Sequence, residues 1–329
     1  MNFRAALCAM LAPLAVGAAP PPKALAPSEI VSAAPAKDWV TIAASDLLIM
    51  DLVPDRDGNK RRVIIQLMPP PFSQGWIGNI RKLAAAHWWD GTSINRVQDN
   101  YVAQWGDADA EDKMKAKKLP DGLVTVPESG YTLPADLISV RWPQDSGLFW
   151  RGPSFSDTYT GWNGTGFEQG WPIAAKIITP SKKRTSIPEA ARWPVHCYGM
   201  VGVGRDLSPN TGSGAELYTV IGHAPRHLDR NIALVGRVIS GIENLSSLPR
   251  GTGPLGFYEK PEQRVGITSI RLASELPAAE QPKYQYLSTE SASFARYADA
   301  RANRRDAFFI VPAGGADICN VPVPVRKVP

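Results

Sequence analysis

Short runs rich in Val, Ile and aromatic residues recur along this chain, with glycine and proline between them. Clear examples are RRVIIQLM at 61–68, AELYTVIG at 215–222 and IALVGRVISG at 232–241. The 30 Pro and 28 Gly among 329 residues favour strands and long ordered loops over helical bundles. About eight such runs in hairpin-like order predict an all-β barrel or sandwich, and closure into a barrel would remove its exposed edges.

Three segments depart from this pattern and predict helices. The first is FSQGWIGNIRKLAAAHWWDG at 72–91, with Ser73 as the N-cap and Asp90-Gly91 as the stop. Its apolar residues at helical spacing are Trp76, Ile77, Ile80, Leu83 and Ala84. A short helix is expected at 241–248, and a third at 291–305, SASFARYADARANRR, where Phe294 and Tyr297 share one face.

The N-terminus predicts export. Residues 1–18 contain Arg4 followed by an apolar run that Pro13 interrupts, and small residues precede a plausible cleavage point. This is typical of a cleaved signal peptide, so we expect a periplasmic or secreted protein. Residues 19–37 are rich in Pro and Ala and predict an extended linker. No later segment is long and apolar enough to predict membrane insertion.

Two cysteines, Cys197 and Cys319, lie outside the signal peptide, and export leaves two interpretations of them. Either they pair as a disulfide, because thiols tend to pair in the oxidising compartment that exported proteins enter, or they remain as buried apolar thiols. The histidines at 223 and 227 are four residues apart, but Pro225 lies between them and prevents the helix that a metal site would need. We therefore expect no metal. The net charge of +5 is spread through the chain, which argues against nucleic-acid binding.

From 108 to about 195 the sequence predicts a long irregular insertion. Its Trp-rich part, 142–171, contains Trp142, Trp150, Trp162 and Trp171 among Gly and Pro residues. These rings either hold the insertion down by burial or stack on sugars or peptide side chains, in which case the segment would bind glycan or cell wall.

Four strings, in this order along the chain, resemble motifs of the cyclophilin family of peptidyl-prolyl cis-trans isomerases. They are WIGNIRKLA at 76–84, DGTSINRVQDNYVAQWGD at 90–107, GMVGVG with PNTGSGAELYTVIG between 199 and 222, and HLDRNIALVGRVISGIE at 227–243. The resemblance covers about 46–274. It implies a mainly β fold, an eight-stranded antiparallel β-barrel capped by two helices, and the rotamase activity of that family.

The resemblance also implies roles for individual residues. Arg96 lies at the family's catalytic arginine and Gln104 at the glutamine that orients the substrate carbonyl. Substrate-binding positions are held by Tyr101, Val102, Gly202, Glu216, Tyr218, His227 and Leu228. Without the resemblance, the simplest interpretation of Arg96 would be a surface cation paired with Asp99 or Asp107.

Several of these positions depart from the family pattern. Gly202 replaces an asparagine, Glu216 a glutamine, His227 a tryptophan and Ile232 a histidine, while Trp105 replaces a glycine. These changes leave a second possibility open, a catalytically weakened cyclophilin-like module or chaperone that binds peptides.

The chemistry implied needs no cofactor. Rotation about an X-Pro amide is opposed by ~18–20 kcal/mol, because the nitrogen lone pair is delocalised into the carbonyl. An apolar slot for the proline ring and a permanent cation directed at the amide nitrogen would lower that barrier. The clients would be proline-containing polypeptides, and we expect a monomer.

The expected organisation follows from these points. It comprises the signal peptide at 1–18, the linker at 19–37, a cyclophilin-like domain at 38–274 with its insertion at about 108–195, and a C-terminal extension at 275–329 packed on the domain.

Overall fold

The β-type runs of the sequence form the strands of the structure, a computed structural model that describes residues 24–135, 163–179 and 189–328. The strands are β1 (Trp39–Thr41), β2 (Leu47–Leu52), β3 (Arg61–Leu67), β4 (Ser93–Val97), β5 (Val102–Gly106), β6 (Leu133–Pro134), β7 (Asn163–Glu168), β8 (Trp171–Thr179), β9 (Glu189–Pro194), β10 (Met200–Val203), β11 (Leu217–Val220), β12 (Leu234–Ser240), β13 (Val265–Leu272), β14 (Lys283–Leu287) and β15 (Val325–Val328). The helices are α1 (Pro27–Ser32), α2 (Gln74–Ala85), α3 (Glu243–Ser246) and α4 (Ala292–Ala302).

Eight antiparallel strands close into a barrel in the order β10, β11, β5, β4, β13, β2, β3, β12. Pairing of β10 with β12 completes the ring. The hydrophobic core includes Trp76, Trp89 and Trp105, all fully buried. Each fully buried large apolar side chain contributes roughly 1.5–3 kcal/mol to folding. The predicted eight-stranded antiparallel barrel is confirmed.

A β-bulge in β4 decides which side chains face the barrel interior. Ile94 pairs with Trp105, but the next paired residue is Arg96, opposite Gln104, so Asn95 is the extra residue. Ile94 and Val97 therefore both point into the barrel, where each is fully buried. Arg96 lies between them in sequence yet on the outer face, which is how a strand of the core carries a cation.

The first predicted helix forms as α2 and contacts β13 and β12. Its buried face contains every apolar residue predicted for it. The predicted N-cap position is confirmed, because α2 begins directly after Ser73, but the predicted stop at Asp90-Gly91 is wrong. Ser73 has a left-handed backbone (φ 55°) and its side chain makes no capping hydrogen bond, while the helix stops at Ala85. Asp90 instead accepts two hydrogen bonds from Arg271 of β13, at 2.6 and 2.7 Å.

The second helix on the barrel is much shorter than predicted. It spans four residues, Glu243–Ser246, rather than 241–248. The chain then continues through the loop 249–258, which approaches β4.

The insertion is more regular than predicted. Strands β6, β9, β8 and β7 form a four-stranded antiparallel sheet in that order, so the prediction of an irregular segment is wrong for these residues. Trp171 and Trp193 are buried, each about 1% exposed. For Trp171 this favours the burial alternative. Trp142, Trp150 and Trp162 lie outside the described residues.

Both chain ends contribute to a third sheet. β14 of the C-terminal extension pairs with β1 on one side and β15 on the other. The prediction of an extended linker at 19–37 is wrong for part of its length, because Pro27–Ser32 forms α1. Glu29 accepts a hydrogen bond from the Ala26 amide at 2.7 Å, and Ile30 packs against Phe294 and Tyr297 of α4. A helix as short as α1 is marginally stable alone, and this contact with α4 stabilises it. Residues 1–18 lie outside the described part of the chain.

One buried arginine connects the three sheets. Arg237 of β12 donates hydrogen bonds to Gln66 Oε1 of β3 at 2.9 Å and to the Gly170 carbonyl at 2.8 Å. Its guanidinium lies 4.5 Å from the ring centroid of Trp171 in β8 and 5.9 Å from that of Tyr286 in β14. Burial lowers its pKa to about 10, so it remains cationic near neutral pH.

Cys197 and Cys319 form a disulfide in the structure, 122 residues apart in sequence. The bond joins the segment before β10 to the 3-10 turn Ile318–Asn320 near the C-terminus. Across the described residues, no helix combines the length and apolar character that a membrane span requires.

Reduction of this disulfide should destabilise the protein. A closed loop of this length contributes about 4–5 kcal/mol in the chain-entropy model. Denaturant unfolding of the protein is therefore expected to shift to a lower midpoint when reductant is added. A double variant, Cys197→Ala with Cys319→Ala, is the control and should not respond to reductant. An unchanged midpoint in the wild-type protein would contradict the assignment.

Candidate active site

The residues predicted for the proline pocket form an apolar cluster on the outer face of the barrel, where β5 and β11 run side by side. The register pairs Val102 with Val220 and Gln104 with Tyr218. Six side chains form one cluster there: Val102, Tyr218 and Val220, which are buried, and Tyr101, Leu228 and Ile232, which pack against them. The four residues predicted for a proline pocket, Tyr101, Val102, Tyr218 and Leu228, thus come together. Ile232 joins them in the place of the family's histidine.

Arg96 is hydrogen-bonded to Gln104 beside this apolar cluster. Its Nη1 donates to Gln104 Oε1 at 3.0 Å, its Nη2 donates to Gln98 Oε1, and its Nε donates to the Leu255 carbonyl at 2.7 Å. The guanidinium carbon is 5.7 Å from the ring centroid of Tyr101 and 5.4 Å from that of Phe257. The predicted neighbours Arg96, Gln104 and Tyr101 are therefore in contact.

Among the described residues, no carboxylate forms an ion pair with Arg96. Asp99 is paired with Arg250 at 3.0 Å, and Asp107 accepts hydrogen bonds from the backbone amides of Asp109 and Lys117. The alternative of a surface ion pair is therefore wrong for both aspartates. Burial lowers the pKa of Arg96, but an arginine remains protonated at neutral pH. Because neutral oxygen atoms hold this half-buried guanidinium, its positive charge can still interact with a substrate.

Glu216 lies behind Gln104 and titrates near neutrality. Its Oε1 accepts a hydrogen bond from the Asp107 amide at 2.7 Å. Burial raises its pKa to about 7, although this bond and those to the side chains of Gln104 and Asn95 lower it. A Cβ on Gly106 would lie 2.0 Å from the carboxylate, so this glycine leaves room for Glu216. Arg96, Gln104 and Glu216 form a continuous polar chain.

Gly202, which stands where the family has an asparagine, depends on Tyr218, which stands where the family has a phenylalanine. A Cβ on Gly202 would lie 2.3 Å from the Tyr218 hydroxyl. Because the hydroxyl of Tyr218 occupies that space, the asparagine of the family cannot be accommodated here. Gly202 pairs with Tyr218 across β10 and β11, so its backbone still borders the pocket.

A buried polar chain supports Tyr218 from below. The Tyr218 hydroxyl is 2.9 Å from His196 Nε2, and His196 Nδ1 is 2.8 Å from Asp229 Oδ1. Asp229 Oδ2 accepts from Arg226 Nε at 2.7 Å. Burial lowers the pKa of His196 more than its bond to Asp229 raises it, so the ring is neutral, donates to Asp229 and accepts from Tyr218.

His196 is not among the residues predicted from the sequence. The available signal is Tyr218 itself, because a buried tyrosine hydroxyl requires a hydrogen-bond partner. The sequence does not reveal that the partner lies 22 residues upstream.

Of the remaining substituted positions, His227 lies at the surface of the site and Trp105 lies in the core. His227 stacks on Tyr101 with ring centroids 6.2 Å apart and planes 10° apart, so it lies beside the pocket. Trp105 points into the barrel, where it is fully buried. Its departure from the family pattern therefore changes the core and not the groove.

Comparisons with known proteins identify the family. The family model described as cyclophilin type peptidyl-prolyl cis-trans isomerase matches residues 75–272. The chain belongs to this family, which confirms the predicted prolyl isomerase activity. No curated protein matches the chain.

A solved cyclophilin structure shows the same fold. The cyclophilin AquaCyp293 of Hirschia baltica matches with a TM-score of 0.61 and 22% identity, over 88% of this chain and 93% of that one. A cyclophilin type isomerase of Cryptosporidium parvum, solved in the presence of the dipeptide Ala-Pro, matches with a TM-score of 0.35 and 11% identity, over 68% and 98% of the two chains.

The described residues include no group of three or more His, Cys, Asp or Glu side chains that could hold a metal ion. The geometry of the site brings together a cation, its amide neighbours and an apolar cluster.

Glu216 should make stability depend on pH. The folded protein holds the Glu216 proton up to about pH 7, whereas the ordinary value is 4.5. Between those values the folded state binds more protons than the unfolded chain, so the free energy of unfolding should fall as pH rises. The loss is at most ~3 kcal/mol.

Denaturant unfolding at about pH 5, 6, 7 and 8 measures this dependence. Glu216→Gln should flatten the curve in that range, and Glu262→Gln, at an exposed position, should leave it as in the wild type. Parallel curves for the wild type and Glu216→Gln would show that Glu216 is not the titrating group.

Proposed function

We propose that this chain isomerises X-Pro bonds in exported proteins, and that Arg96 is its catalytic residue. The observation that carries the proposal is the position of Arg96. It is a cation hydrogen-bonded to neutral oxygens, it touches Gln104 and Tyr101, and it lies beside the apolar cluster of β5 and β11.

The mechanism needs only binding and electrostatics. The proline ring enters the pocket formed by Tyr101, Val102, Tyr218 and Leu228, while Arg96 donates toward the prolyl nitrogen. Donation stabilises the lone pair on nitrogen as the bond twists and resonance is lost. Gln104, itself held by Arg96, orients the carbonyl before the proline. A reduction of the barrier by roughly 5–7 kcal/mol corresponds to about four to five decades in rate.

A second candidate is a peptide-binding module or chaperone with weak catalysis. It is supported by the engagement of Arg96, whose Nε, Nη1 and Nη2 all donate to protein oxygens. A substrate would compete with those acceptors. Glu216 and His227 further change the groove from the family pattern.

Two features support action on exported clients. Residues 1–18 have the pattern of a signal peptide, and the disulfide between Cys197 and Cys319 suits an oxidising compartment. The proposed location is the periplasm or the medium outside the cell.

Arg96→Ala should lose most catalysis. Removal of one preorganised donor costs about 100-fold or more in rate. The measurement is a protease-coupled assay on a prolyl peptide, with the Kd for the same peptide measured in parallel. Arg62→Ala is the control, because Arg62 is an exposed cation of the β2–β3 hairpin paired with Asp51.

Equal rates for the wild type and Arg96→Ala would end the catalytic assignment. A wild-type protein that binds the peptide but leaves its isomerisation at the uncatalysed rate would favour the second candidate.

The export proposal predicts a processed N-terminus. Protein expressed from the full coding sequence in a Gram-negative host should be recovered from the periplasm or the medium. N-terminal sequencing should show a chain that begins after Ala18. Recovery of unprocessed chain in the cytoplasm would contradict the proposal.

A further inference from the structure

The loop 249–258 places two exposed apolar side chains next to Arg96. Leu255 is 67% exposed and Phe257 is 39% exposed. β5 pairs with one edge of β4, and Phe257 forms a bridge with Arg96 at the other edge. The loop therefore lies across Arg96 from β5 and the pocket.

Backbone hydrogen bonds hold this loop in place. β13 pairs with β4 only through Ser93 and Ile94. Beyond that point the edge of β4 bonds to the loop instead: the Tyr258 amide donates to the Asn95 carbonyl at 3.0 Å, and the Gly251 amide donates to the Val97 carbonyl at 2.9 Å. These two hydrogen bonds hold the loop in position beside Arg96.

Leu255 has an unfavourable backbone conformation that a glycine would relieve. Its φ is 56° and its ψ is 15°, in the left-handed region, which costs an L-residue such as leucine of order 1 kcal/mol. The Leu255 carbonyl accepts from Arg96 Nε at 2.7 Å, but glycine would supply the same carbonyl without strain. What leucine adds at this position is its side chain, and that side chain faces solvent. Strain of this kind is concentrated at functional sites.

The surroundings of the two side chains favour an apolar ligand. One ring, Phe257, lies 5.4 Å from the guanidinium carbon of Arg96 and keeps an exposed surface. The nearby charges of Arg250 and Asp99 are paired with each other. The chemistry presented beside Arg96 is therefore a leucine and an aromatic ring.

We propose that Leu255 and Phe257 form an apolar subsite that binds a large aliphatic or aromatic side chain of the client. This inference rests on the proposed function, because it places the X-Pro bond at Arg96. The rings of Tyr101 and Phe257 are each within 6 Å of the guanidinium carbon. An extended peptide advances about 3.3 Å per residue, so the bound side chain belongs to a residue within about three positions of the proline. Isomerisation is thereby selective for proline flanked by an apolar residue.

The test uses matched peptides that contain one proline in an alanine background. Phe or Ala is placed at each of the three positions before and after the proline, and kcat/KM is measured by exchange NMR without a coupling protease. The readout is the ratio of the Phe peptide to the Ala peptide at each position. A loss of fold or of Arg96 alignment lowers both peptides alike and leaves this ratio unchanged.

The wild type should prefer Phe by roughly tenfold at one of these positions. Phe257→Ala and Leu255→Gly should each bring that ratio close to one, and the glycine also suits the backbone at 255. Phe308→Ala removes an aromatic ring that is 83% exposed in the C-terminal extension, and as the matched control it should keep the wild-type ratio.

A ratio near one at every position in the wild type would overturn the inference, as would a preference that survives in both variants. Kd values for the same peptides provide the ratio independently of catalysis. If the wild type accelerates no peptide, the proposed isomerase function fails, whereas the Kd ratio still decides the subsite.

Discussion

The register of β4 against β5, with its bulge at Asn95, is the constraint on which the site depends. Regular alternation would place Ile94 and Arg96 on the same face, and either the core would contain a charge or the groove would lose its cation. The extra residue lets Ile94 and Val97 fill the barrel while Arg96 faces outward opposite Gln104. It also leaves the outer edge of β4 free to bond to the loop 249–258, so the same bulge brings Leu255 and Phe257 to the cation.

The groove shows how substitutions in one site compensate each other. Tyr218 brings a hydroxyl into a pocket floor, where an unpaired hydroxyl would be costly. His196 and Asp229 satisfy it, and Gly202 leaves the space that it needs. Glu216 and Gly106 show the same dependence on a smaller scale. These residues form coupled sets, so the effect of one departure from the family pattern cannot be judged without its partners.

The barrel is held to the added parts of the chain by a few strong contacts. Arg237 bonds within the barrel through Gln66 and stacks on Trp171 of the inserted sheet, with Tyr286 of the terminal sheet nearby. The disulfide adds a covalent tie from the segment before β10 to the C-terminus. Cys197 directly follows His196, so this tie lies next to the polar chain that supports the pocket.

Strand and helix periodicity are local, so the sequence by itself predicted a β barrel or sandwich and the buried face of α2. The collinear order of the motifs, through the family resemblance, added the choice of a barrel and the grouping of Arg96, Gln104, Tyr101 and Leu228. The sequence did not predict the sheet of β6, β9, β8 and β7 or the helix Pro27–Ser32. That helix is short and is stabilised by its contact with the distant helix α4. Only the tertiary structure decided that His196 lies under Tyr218 and that Leu255 and Phe257 lie beside Arg96. Those pairs are separated by 22 residues in the first case and by about 160 in the second, and no local pattern encodes a contact over such distances.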